Sequence, residues 1–274
     1  VSILGCGWLG LPLAEALQKR GFLVKASTTH PENIVPFKKK CFIPYLIECR
    51  PQVIGEGYEE FFQSPYLVIT LPYKRSFPDP SFYFDQIKAI VETVSAGVEY
   101  PLVIFTSSTA VYPQNLVDAR EDMIFVPDNR RAEILLAVEQ FLLKEMQGNA
   151  TILRLAGLYG GDRRIGQFLA GQTMLSDASQ PVNLVHQDDC VSVICEVIAQ
   201  NVRGEILNVC SDAHPSRQRL YTIAARRMGL PSPSFQGDIV DRKYKVVSNQ
   251  KLKKRLGFTF RYPDPLAYVQ EERG

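Results

Sequence analysis

The chain has 274 residues, 46% hydrophobic and 22% charged, the composition of a globular protein with room for one large α/β domain or a core plus a smaller lobe. A formal net charge of +2 gives no electrostatic reason to expect nucleic acid or a membrane surface as partner. No apolar run reaches the roughly 18–20 residues of a membrane span. The six cysteines (Cys6, Cys41, Cys49, Cys190, Cys195, Cys210) contain no Cys-x-x-Cys pair. The histidines His30, His186 and His214 show no metal-ligand spacing. The expectation is a cytoplasmic protein with reduced thiols and no metal site.

The first element organises the rest. Val1-Ser2-Ile3-Leu4 runs into Gly5-Cys6-Gly7-Trp8-Leu9-Gly10, and Leu11, Leu13, Ala14 and Leu17 follow at near-helical spacing. A strand, Gly-x-Gly-x-x-Gly and a helix form the dinucleotide-binding fingerprint of a doubly wound sheet. Gly5 permits the tight turn, Gly7 lets a pyrophosphate approach the backbone, and Gly10 lets helix and strand pack closely. The helix N-terminus then faces the phosphates. Residues 5–10 are therefore expected to hold the cofactor.

Gly21 ends that helix, and residues 22–27 read as the second strand. A carboxylate about 20 residues past the glycines normally accepts hydrogen bonds from the adenosine ribose. Here the segment reads Lys25-Ala26-Ser27-Thr28-Thr29-His30. Hydroxyls on Ser27, Thr28 and Thr29, with Lys38, Lys39 and Lys40 downstream, favour NADP over NAD. Residues 42–47 are a third strand, with Pro44 arguing against a central position. Residues 66–72 are almost continuously apolar, as a buried parallel strand should be. Leu71 and Pro72 at its end, with Tyr73, Lys74 and Arg75, face the cofactor. A loop through Pro78 and Pro80 leads to a helix from about Asp85 that ends at Gly97.

Residues 102–106 form a fifth strand leading into Ser107-Ser108-Thr109-Ala110-Val111-Tyr112, so Thr106 and Ser107 also reach the cofactor. A helix over about 132–146 and strands over 151–155 and 205–209 complete a parallel sheet covered on both faces. Residues 1–160 read as a dinucleotide-binding Rossmann core to which the chain returns near 183–210. Residues 161–274 read mainly as a small substrate lobe, including a helix over 249–256 closed by Gly257.

Three segments behind the glycine turn resemble the extended short-chain dehydrogenase/reductase superfamily of nucleotide-sugar epimerases and dehydratases. Ser107-Ser108-Thr109-Ala110-Val111-Tyr112 is similar to its Ser-Ser-x-x-Val-Tyr-Gly segment, with Pro113 in place of glycine. Arg154-Leu155-Ala156-Gly157-Leu158-Tyr159-Gly160 resembles its Arg-x-x-x-x-Tyr-Gly. Val182-Asn183-Leu184-Val185-His186-Gln187-Asp188-Asp189 resembles its His-Val-x-Asp stretch. The family's chemistry uses a Tyr-x-x-x-Lys pair in which lysine lowers the tyrosine pKa while hydride moves to or from nicotinamide. With Glu139 aligned to the end of that helix, Arg131 stands in the tyrosine's place and Leu135 in the lysine's. None of the 12 tyrosines has lysine four residues later. With Tyr262-Pro263-Asp264-Pro265-Leu266 near the end, the chain resembles the atypical branch of the superfamily, which also departs from this pair.

The resemblance implies an NAD(P)-binding oxidoreductase or epimerase/dehydratase-like protein of unspecified substrate, or a non-catalytic NAD(P)-binding sensor. Ser108 matches the catalytic serine, whose hydroxyl meets the reacting oxygen, and Tyr112 is the nearest phenol for a substitute acid. Arg131, Arg163 and His186 are candidate substrate ligands for a small, anionic or nucleotide-sugar molecule, and Arg130 and Arg164 stand beside the two arginines. Asp189 is expected to cap the following helix. Members commonly dimerise through the helices beginning here near Asp85 and Ala132, which implies a homodimer.

Overall fold

The computed structural model describes residues 1–73, 79, 81–95, 100–237 and 242–271. Lys74, Arg75, Pro78, Pro80 and Gly97 lie outside the described residues. Seven strands form a parallel sheet: β1 (Ser2–Leu4), β2 (Lys25–Thr28), β3 (Ile43–Leu46), β4 (Tyr66–Ile69), β5 (Leu102–Ser108), β6 (Ala150–Leu155) and β7 (Ile206–Val209). Their order is β7-β6-β5-β4-β1-β2-β3. The order reverses between β1 and β4, so the C-terminal ends of those two strands flank the crevice where ligands bind in this architecture. Side chains such as Ile3, Val68, Ile104 and Ile152 are fully buried, each stabilising the fold by about 1.5–3 kcal/mol. The seven strands expected along the chain all form, and β3, which contains Pro44, lies at the sheet edge.

Helices α1 (Gly10–Lys19), α2 (Ile34–Lys39), α3 (Phe82–Ser95), α4 (Arg130–Glu145) and α5 (Gln187–Ala199) cover the sheet. The buried stripe Ile87, Ile90, Val91 and Val94 of α3 has helical spacing. Asn129 starts α4 from an extended backbone, its Oδ1 accepting from Ala132 N at 3.0 Å; this satisfies one of the helix's orphan donors. Among the described residues, no helix is long and apolar enough to cross a membrane.

The chain divides into two compact units. The first comprises Val1–Val111, Asn129–Arg154 and Val191–Leu207; the second comprises Tyr112–Asp128, Leu155–Cys190 and Asn208–Gly274. In the second unit, Gly157–Tyr159 pairs in parallel with Leu184–His186. Helices α6 (Arg217–Arg227), α7 (Gln250–Leu256) and α8 (Pro265–Glu271) follow. A small core joins Tyr159, Ile165, Leu184, Leu220, Ala224, Leu266 and Val269. Gly257 closes α7 in the left-handed conformation, as expected.

Candidate functional site

The glycine turn is built almost wholly from backbone. Cys6 N donates to Ser27 O, Gly7 N to Gly5 O and Leu11 N to Gly7 O, all within 2.8–2.9 Å. Gly5 has φ +97°, and a Cβ there would lie 3.0 Å from Thr70 Oγ1. A Cβ on Gly10 would lie 2.6 Å from Gly5 O, whereas one on Gly7 would meet nothing within 4 Å. The turn is thus tight on two sides and open at Gly7, the geometry a pyrophosphate needs. No side chain caps α1 and no acidic residue sits in its first turn, which leaves its positive end to an anion. Cys6 is a space-filling thiol, its pKa pushed up to about 12 by burial and then by Glu15.

At the end of β2 the hydroxyls have structural partners. Ser27 Oγ accepts from Gly5 N at 2.9 Å. Thr28 Oγ1 accepts from His30 N at 3.1 Å and Asn33 Nδ2 at 3.2 Å. Thr29 and His30 are exposed, with His30 Nδ1 3.2 Å from Glu32. The lysine run is a correction. β3 runs parallel to β2, so α2 must carry the chain back to the sheet's N-terminal edge before β3 starts. Lys38, Lys39 and Lys40 end that helix, at the edge opposite the glycine turn. There Gln18 Nε2 holds Lys40 O, and Lys40 pairs with Glu15.

Thr70 Oγ1 donates to Gly5 O at 2.6 Å, which ties the end of β4 to the turn. Beyond it come half-buried Leu71, exposed Pro72 and half-buried Tyr73. On β5, Thr106 Oγ1 donates to Ile69 O at 3.2 Å. The Ser107 hydroxyl donates to Glu139 on α4. Glu139, 1% exposed, also holds Arg154 on β6, 4% exposed, with Nε 3.2 and 3.0 Å from its two oxygens and Nη2 at 2.7 Å. Sequence reasoning missed this buried cluster. Its signal was a lone acid on an apolar helix face and a lone arginine in the apolar run Ile152-Leu153-Arg154-Leu155. Ser108 is half-buried and accepts from Ala110 N at 3.1 Å, which leaves its own O–H to donate elsewhere.

Every expected cofactor residue, with Ser108 and Arg131, belongs to the first unit; Tyr112, Arg163 and His186 belong to the second. Tyr112 corrects the expectation of a substitute acid. It is fully buried, and its hydroxyl donates to Asn208 Oδ1 at 2.9 Å. Asn208 Nδ2 in turn donates to Ala119 O and Ser248 O. His186 is likewise inside its unit, 5% exposed, with ring centroids of Tyr159, Tyr262 and Tyr268 at 5.1, 3.9 and 5.1 Å. Its Nδ1 accepts from Asp188 N. Burial lowers its pKa, opposed by Asp188 and aided by Arg261. Asp189 lies inside the first turn of α5 rather than before it, and its carboxylate accepts from Arg261 N at 2.8 Å and Tyr262 N at 3.0 Å. Arg163 is exposed on a tight turn closed by reciprocal backbone bonds with Gly160.

No family model matches the chain. Protein YeeZ of Escherichia coli strain K12 is 35% identical to it over 273 residues, 99% of each chain. Among solved structures, it is similar to a short-chain dehydrogenase/reductase superfamily protein from Agrobacterium tumefaciens with bound NAD. That TM-score is 0.74 at 17% identity, over 99% of this chain and 97% of that one. UDP-glucuronic acid 4-epimerase from Bacillus cereus, in complex with UDP-glucuronic acid and NAD, gives 0.77 at 16% identity over 100% and 98%. The chain therefore belongs to the same family as Protein YeeZ, and it shares the fold of these short-chain dehydrogenase/reductase and epimerase structures.

Proposed function

We propose that the first unit binds a nicotinamide dinucleotide and that the protein is an oxidoreductase or epimerase/dehydratase-like enzyme acting on a small molecule in the cytoplasm, as a homodimer. The observation that carries this reading is the glycine turn, closed around Gly5 and Gly10 and open at Gly7. Gly5, Cys6, Gly7, Trp8, Leu9 and Gly10 would wrap the pyrophosphate and aim the α1 terminus at it, with the N–H groups of Gly5, Cys6 and Gly7 spent on holding the turn itself. Leu71, Pro72, Thr106 and Ser107 would line the crevice beyond the ends of β4 and β5. When bound, the nicotinamide supplies hydride transfer. Ser108 offers its free O–H to the oxygen that changes charge, and Arg131, a permanent cation, orients substrate without exchanging protons.

NADP is favoured over NAD. No carboxylate stands on residues 25–30, and the exposed Thr29 hydroxyl can meet a 2′-phosphate. Glu32, the nearest acid in sequence, is paired to His30. Titration with NADPH and NADH, followed by ligand fluorescence and thermal shift, tests this. Micromolar NADPH with much weaker NADH supports it; preference for NADH reverses the cofactor choice; failure of both removes the dinucleotide reading.

A second reading is favoured by α4, where half-buried Arg131 and buried Leu135 replace the phenol and ammonium. The protein would then bind the dinucleotide without turnover, as a sensor. Hydride transfer to any carbonyl or sugar substrate, lost in Ser108→Ala, would eliminate it.

A further inference from the structure

At the ligand end of the first unit the backbone ladder gives way to side-chain hydroxyls. The last backbone rungs are Thr70 N donating to Leu4 O at 3.0 Å and Cys6 N donating to Ser27 O at 2.9 Å. Between them sits Gly5, gripped from both sides. Its N–H donates to Ser27 Oγ on β2 at 2.9 Å, and its carbonyl accepts from Thr70 Oγ1, just past β4, at 2.6 Å. Gly7 N, at 2.8 Å, takes the second lone pair of the same carbonyl. Thr70 Oγ1 also lies 3.2 Å from Leu4 O.

Thr70 is itself held in place. On one side of it Ile69 O accepts from Thr106 Oγ1 at 3.2 Å, and on the other Leu71 O accepts from the Tyr83 hydroxyl at 2.8 Å. Ser27 is 2% exposed, and its hydroxyl oxygen, expected at the cofactor, accepts from the turn. The carbonyl between these two residues faces inward, since a Cβ on Gly10 would lie 2.6 Å from it. Glycine has no Cβ to restrain its peptide planes, and Gly5 stands at φ +97°. Turned over, the peptide joining Gly5 to Cys6 would show a carbonyl oxygen to the side on which phosphates arrive. That oxygen repels phosphate, whereas N–H groups and a helix start attract it. Thr70 and Ser27 select the favourable orientation through the protein's own hydrogen bonds.

We propose that Thr70 is a positioning residue for the diphosphate of the bound dinucleotide, with Ser27 as its counterpart on β2. Neither touches the ligand; together they hold Gly5 so that the turn offers room and positive potential to two linked phosphates. This deepens the dinucleotide reading above and rests on it. A turn fixed beforehand lowers the ordering cost of binding, and a loosened turn is competent for only a fraction of the time, which slows association.

The test measures the tighter of NADPH and NADH against wild type, Thr70→Val, Thr70→Ser and Ser27→Ala. Equilibrium fluorescence and stopped-flow mixing are run well below the lowest of the four melting temperatures. Thr70→Val keeps the shape and loses the donor; it is expected to weaken the dinucleotide about tenfold, with slower association carrying the loss. Thr70→Ser, whose hydroxyl reaches the same carbonyl, should stay within about threefold of wild type. Ser27→Ala, on the other strand, should weaken binding in the same way and reads the same grip if Thr70→Val folds poorly. ADP-ribose, bearing a 2′-phosphate if NADPH is the tighter ligand, keeps the diphosphate without the nicotinamide and should lose affinity in parallel.

Four results overturn the proposal. Folded Thr70→Val or Ser27→Ala binds within about twofold of wild type; Thr70→Ser is as weak as Thr70→Val; faster dissociation carries the loss, as for a residue that touches the ligand; or ADP-ribose is unaffected or does not bind. Wild type that takes up neither dinucleotide removes the underlying reading and this one together, before any variant is made.

Discussion

The glycine turn of the first unit and the polar cluster of the second are made from different materials. In residues 5–10 backbone bonds make most of the turn, side-chain hydroxyls from Ser27 and Thr70 reach it at Gly5, and space is left open beside Gly7. Around Asn208, side chains use up one another's capacity. The Tyr112 hydroxyl goes to its Oδ1, its Nδ2 serves two carbonyls, and Glu121 accepts from its backbone N. Asp189 repeats the pattern by pinning Arg261 and Tyr262. A binding site retains unused donors and room; a scaffold consumes both. By that criterion Tyr112 and His186 are scaffold, although their residue types suggest chemistry in the sequence.

That contrast can be broken by mutation. The largest effect is expected within the first unit's own scaffold: Glu139→Ala strands a buried arginine and should cost about 3–5 kcal/mol in denaturant unfolding. Gly10→Ala places a Cβ against Gly5 O and should cost ~1–3 kcal/mol. Gly7→Ala, facing open space, should stay within about 0.5 kcal/mol of wild type in stability while weakening dinucleotide binding about tenfold, roughly 1.4 kcal/mol. If Gly7→Ala binds as tightly as wild type, Gly7 is not at the phosphate. Tyr112→Phe removes one hydrogen bond and should cost ~1 kcal/mol, leaving dinucleotide affinity unchanged; a selective loss of turnover at full stability would return Tyr112 to the chemistry.

The smallest effect is one of pH. Burial lowers the pKa of His186, with Asp188 opposing and Arg261 aiding, and that of His214, with Asp212 and the Val182 backbone opposing. The folded protein therefore binds these protons less tightly than the unfolded chain. Their contribution is complete above the ordinary imidazole value of about 6.5 and is lost as pH falls from there through the folded values. Melting temperatures measured between pH 8 and 5 should fall below pH 6.5, and His186→Gln should flatten the decline. A decline unchanged in both His186→Gln and His214→Gln would assign it to other groups.

Much of the first unit is legible because its signals are local. Seven apolar runs in order give the strands, and three glycines give the turn. Strand ends are less legible: residues 22–27 look continuous, yet Leu23 is 66% exposed and the ladder starts only at Lys25. The lysine run misled for a topological reason, since distance along the sequence does not state which edge of a sheet a helix ends on. The Glu139–Arg154 pair joins a helix to a strand, and Asp189 reaches residues more than 70 positions away. Each half of such a contact is visible alone, but only the fold matches acid to base or donor to acceptor.

The edge strand has a consequence for how the molecule meets copies of itself. Ile43 N and Ile47 N donate inward to β2, so by strand alternation the outward-facing positions between them are 44 and 46. Residue 44 is proline and offers no donor. At position 46, Gly55 lies so close that a Cβ on it would be 2.3 Å from Leu46 O, so that acceptor is already covered. A strand arriving from a neighbouring molecule finds no donor at 44 and a covered carbonyl at 46, which leaves it only the Pro44 carbonyl and the Leu46 N–H. The outward ladder of β3 is thus interrupted at both positions, which discourages edge-to-edge pairing.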